Sequence, residues 1–144
     1  MKKNYIYIVI LIAIVVSFIP FNLELSPERH LKIIDLNKAP MIDAIVRQTW
    51  YQYSLEIRGE VDVPVSKMGE VTLYRRLVRT NALSIIMGAI KQFRDLGLHA
   101  SIWTDESVGV FAQGYEDKWF HGGTAPKTGS ILLREKRLGR GGHP

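Results

Sequence analysis

The sequence contains no cysteine, which removes disulfides, thiolate catalysis, thiolate zinc sites and lipoprotein anchoring together. It also lacks the compact motifs of common hydrolases: there is no H-E-x-x-H for zinc, and no S-x-x-K or G-x-S-x-G for an activated serine. The middle of the chain lacks net charge. The formal charge of +5 resides in Lys2 and Lys3 at one end and in Arg134, Lys136, Arg137 and Arg140 against Glu135 at the other, while residues 23–128 balance. A neutral middle gives no general attraction to nucleic acid, and none is expected as a partner.

What is present first is an apolar run. Residues 5–21, YIYIVILIAIVVSFIPF, carry no charge, and as a helix they would approach the roughly 30 Å thickness of a hydrocarbon layer. Lys2 and Lys3 precede the run, and SFIPFNLELS offers no pair of small residues for signal cleavage. The pattern predicts a retained, single-pass transmembrane anchor over residues 1–22, a signal-anchor with its N terminus cytoplasmic. The remainder is then expected in the periplasm or another extracytoplasmic space, a virion membrane included. The outline is similar to that of type IV pilins, but residues 5–21 hold neither the glycine nor the glutamate of a pilin helix.

Beyond the anchor, Ser26-Pro27-Glu28 has the form of a helix start, and predicts a juxtamembrane helix or linker over 23–38. Pro40 opens a second expected helix, on the spacing of Ile42, Ile45, Val46, Thr49, Trp50 and Tyr53. The period then changes to two: Leu55, Ile57, Gly59, Val61 and Val63 alternate with Glu56, Arg58, Glu60 and Asp62, which predicts a strand. Residues 70–79 fit either period. Thr80 or Asn81 caps a helix that carries Ala82, Ile85, Ile86, Ala89, Ile90 and Phe93 and stops at Gly97. Strands over 98–104 and 108–115 are expected around an Asp105-Glu106-Ser107 turn, with a last strand in SILLREK. The fold class expected is α+β: a transmembrane helix, then a domain over 39–137 with a mostly antiparallel sheet and two or three helices. Residues 138–144 read as a flexible basic tail.

Candidate chemistry is sparse. His99, Asp105, Glu106 and His121 would converge if the hairpin closes, and they are the catalytic candidates of a membrane-tethered hydrolase of cell wall or peptide. His121-Gly122-Gly123 and Lys127-Thr128-Gly129 read as turn punctuation. Arg75, Arg76 and Arg79, with Arg134, Lys136 and Arg137, form the basic patch on which an alternative nucleic-acid or anionic-lipid binder would rest. Trp50, Tyr53, Trp119 and Phe120 are the residues expected to touch a partner, because a small domain seldom buries every large aromatic. No cofactor and no metal is expected. The first functional expectation is a non-enzymatic, membrane-anchored structural or assembly subunit. Its outer domain would bind partner proteins of an envelope, secretion or viral-membrane complex. Its partners would be the bilayer, other membrane or envelope proteins and further copies of the chain.

Overall fold

A computed structural model describes residues 2–97 and 101–136. His99, Arg137 and the tail 138–144 lie outside the described residues. Helix α1 (Lys2–Ser17) is followed by strands β1 (Pro20–Ser26), β2 (Arg29–Ile34), β3 (Ile45–Gln52), β4 (Ile57–Pro64), β5 (Glu70–Leu73) and β6 (Arg76–Asn81). Helix α2 (Ala82–Leu96) precedes β7 (Thr104–Phe111), β8 (Lys118–His121) and β9 (Thr128–Leu132). Strands dominate, and this corrects the expected α+β class.

The apolar run is helical, but it stops early. The amides of Phe18 and Ile19 donate to Val15 and Val16, three residues back, tightening the last turn. Pro20 then enters β1. The 16 residues of α1 make a helix of about 24 Å, and no helix among the described residues is long and apolar enough to cross a membrane. This overturns the single-pass anchor, and with it the expected membrane address of the rest of the chain. From Tyr5 to Val16 the helix is exposed.

Two further expected helices are strands. Ser26-Pro27-Glu28 resembles a helix start, yet it is the corner between β1 and β2, where proline interrupts the ladder. Beyond it, Arg29, Leu31 and Ile33 are buried while His30 and Lys32 are exposed, the alternation of a pleated strand. In β3, Val46, Gln48 and Gln52 are buried on one face, and Arg47, Thr49 and Tyr51 lie on the other. The β-branched Ile45, Val46 and Thr49 favour that arrangement. The strand read from 55–63 is β4, and the ambiguous 70–79 divides into β5 and β6. Asp105-Glu106-Ser107 is no turn: it lies within β7, and the expected hairpin does not form.

Strands β4-β3-β7-β8 make an antiparallel sheet, and β5-β2-β9 a second in which β9 runs parallel to β2. The β1–β6 ladder continues the line of β2–β5 past Pro27 and Arg75. The two larger sheets pack face to face, because one core cluster joins Leu31, Ile33, Val71, Leu73 and Ile131 with Val46, Val108 and Val110. Helix α2 is the helix expected there: Asn81 accepts a hydrogen bond from the Ser84 amide at 2.8 Å, and Gly97 closes it with a positive φ of 59°.

Candidate functional site

Pairing register decides which side chains share a face. On the solvent side of the four-stranded sheet, Asp62, Arg47, Gly109 and Trp119 form one row across β4, β3, β7 and β8. Glu60, Thr49, Ser107 and His121 form the next. Ile45 and Phe111 stand on one side of these rows, Arg58, Tyr51 and Asp105 on the other.

These rows make a connected array. Arg47 donates from Nε and Nη2 to the two carboxylate oxygens of Asp62, both at 2.7 Å. That contact holds Asp62 below the ordinary carboxylate value and raises Arg47, so the pair stays ionised throughout the neutral range. The Arg47 guanidinium carbon lies 5.8 Å from the centre of the Phe111 ring. Phe111 meets Trp119 edge to face at 5.3 Å, and Trp119 and His121 are parallel to within 8° at 5.9 Å. Gly109 makes room for this: a Cβ there would lie 2.9 Å from both aromatic rings. Trp119 remains 42 % exposed. Ser107 Oγ lies 2.8 Å from His121 Nδ1.

Behind the sheet is a polar network of another kind. Arg29 donates from Nη2 to Glu106 Oε2 at 2.6 Å and from Nε to Oε1 at 3.2 Å, and its Nη1 donates to the Ala125 carbonyl. Ser26 donates to Glu106 Oε1 and accepts from Gln48 Nε2 at 2.6 Å. All four side chains are buried. Each charge in the network therefore has its counter-charge and hydrogen bonds in place.

Of the sequence-predicted catalytic residues, Asp105 and His121 lie in neighbouring rows of the outer face, and Glu106 is separated from them by the sheet. Glu106 points inward to Arg29, while its neighbour Asp105 occupies the opposite face. His121 meets Ser107 on an open sheet surface, and His99 is outside the described residues. Among the described residues no group of three or more His, Asp or Glu side chains is placed to hold a metal ion.

The expected partner-binding residues divide. Trp119 is at the surface, but Phe120 packs against the core. Trp50 faces inward over Gly59, where a Cβ would collide with its ring, and the Arg76 guanidinium lies 5.2 Å from the indole centre. Tyr53 meets Tyr51 edge to face at 4.5 Å. The basic residues among the described ones have different surroundings. Arg75 pairs with Glu24 at 3.2 Å, Arg76 is on Trp50, Lys136 is 4.0 Å from Asp117, and Arg79 and Arg134 are exposed. Arg47, Gly109 and Phe111 were not singled out from the sequence, because β3 looked helical and a turn was expected at 105–107, inside β7, before the strand expected over 108–115. Their signal was the alternation of Ser107, Gly109 and Phe111 with buried Val108 and Val110.

The chain matches no protein-family model, and no curated protein matches it in sequence. Among solved structures it is similar to the 3-chlorocatechol 1,2-dioxygenase of Rhodococcus opacus 1CP, with 14% identity and a TM-score of 0.45. The alignment covers 78% of this chain and 61% of the dioxygenase chain, so this chain spans less than two thirds of that enzyme's length.

Proposed function

We propose that the protein is a non-enzymatic assembly module that binds a polypeptide partner on the outer face of the β4-β3-β7-β8 sheet. One observation carries this reading: the Arg47–Phe111–Trp119–His121 array lies on a regular sheet, half open to solvent, with its arginine fixed by Asp62. Tryptophan and arginine are the side chains that most often dominate binding energy. Rings and guanidinium already held in place lose little rotamer freedom on contact. Ser107, Thr49 and Glu60 supply hydrogen-bonding groups around the aromatic centre.

A hydrolase reading is less well supported, since Glu106 is engaged by Arg29 on the other side of the sheet. The test is affinity purification of the tagged full chain followed by titration of the recovered partner. Trp119→Ala and Arg47→Ala should each weaken that partner by roughly tenfold or more, the scale of a hot-spot truncation. His30→Ala, on the exposed face of the other sheet, should leave binding unchanged. Retention of the partner by Trp119→Ala with undiminished affinity would exclude this face as the binding surface.

A further inference from the structure

Helix α2 is turned the wrong way round for a helix that serves only to cover its own domain. The side toward the β3–β4 turn carries Gly88 and Gln92. A Cβ on Gly88 would collide with the Ser54 carbonyl. Gln92 is 6% exposed, donates to the Tyr53 carbonyl and accepts from the Ser101 amide at 3.3 Å. Lys91 reaches Glu56 at 2.7 Å and fixes the flank. The opposite side carries Ile86, Met87, Ile90 and Phe93, each between 51% and 60% exposed.

Leu83, Ile86, Ile90 and Phe93 follow one another at steps of three, four and three, the seam spacing by which one helix receives another. We propose that the occupant of this seam is the α2 of a second copy, related by a two-fold axis. The face is self-compatible. Its charges are paired within each copy: Lys91 is turned to Glu56, and Arg94, which borders the seam one turn after Ile90, is paired with Asp95 at 3.0 Å, so two identical faces meet without net charge. The outward side chains offer roughly 500 Å² per copy, so a pair would bury about 1,000 Å², where specific interfaces begin. Helix α1 extends the apolar area, because Pro20 pairs with Asn81 and sets the end of α1 beside the start of α2. The association is independent of the sheet face assigned to a partner, since the two surfaces share no residue.

The test uses the full chain, whose lack of cysteine makes single-cysteine variants unambiguous. Ile90→Cys should form a disulfide-linked dimer under mild oxidation, and Asn37→Cys, in an exposed turn, should not. Sedimentation equilibrium should show a dimer weakened about tenfold or more by Ile90→Glu. Ile90 is 58% exposed, so the charge is compatible with the fold. The proposal is overturned if the unaltered chain sediments as a monomer, or if Ile90→Glu leaves the dimer intact. It is equally overturned if Ile12→Glu in α1 abolishes association that Ile90→Glu spares.

Discussion

Removing the guanidinium of Arg29 would strand Glu106 beneath the sheet with Ser26 as its remaining side-chain donor. An unpaired buried carboxylate is far costlier than an absent ion pair, so Arg29→Met is expected to destabilise the protein by about 3–5 kcal/mol. Urea denaturation measures this. The double variant Arg29→Met with Glu106→Leu should recover much of the loss, because it removes both charges and leaves apolar volume. If the double variant is no more stable than the single one, the pair is worth more than its desolvation. Asp62 presents the opposite situation. Its carboxylate is open to water, and its contact with Arg47 governs the shape of a surface more than the stability of a fold.

At the level of elements, α2 has a built-in constraint. Alanine is ordinarily about 1 kcal/mol better than glycine inside a helix, yet Gly88→Ala should destabilise attachment of α2, because the new methyl would occupy the place of the Ser54 carbonyl oxygen. Amide exchange should quicken in α2 while β3 and β7 keep their protection; unchanged exchange in α2 would refute the close approach. This helix was legible in the sequence through its Asn81 cap and Gly97 stop, and β4 through its strict alternation. Strand β3 was not, since Ile45, Val46, Thr49, Trp50 and Tyr53 satisfy a helical period while Val46, Gln48 and Gln52 satisfy a strand's. For β2, Ser26-Pro27-Glu28 gave a false start signal at a strand corner. Trp119 could be suspected of exposure from its chemistry, but which of Asp105 and Glu106 turns inward depends on a one-residue register that local sequence does not specify. The extent of α1 likewise depended on where β1 takes over the chain.

The whole molecule presents two kinds of surface on separate elements: an aromatic, charged sheet face and an apolar helix face. A pair joined through α2 would carry two copies of the sheet face, and a partner arrayed on a surface would then be held by both at once. Ile90→Glu should therefore weaken binding to densely immobilised partner by roughly a hundredfold, the scale of a lost second attachment. Its affinity for the same partner free in solution should not change. Equal losses in both formats would place Ile90 in the partner contact itself. The parallel pairing of β9 with β2 carries another consequence, for synthesis. Ile131 and Leu133 close the core around Leu31 and Ile33, so a nascent chain with β1 to β8 already outside the ribosome still exposes the edge that β9 will occupy. The sandwich can be completed only as its last strand emerges from the exit tunnel, and until then that edge is open to chaperones or to a neighbouring nascent chain.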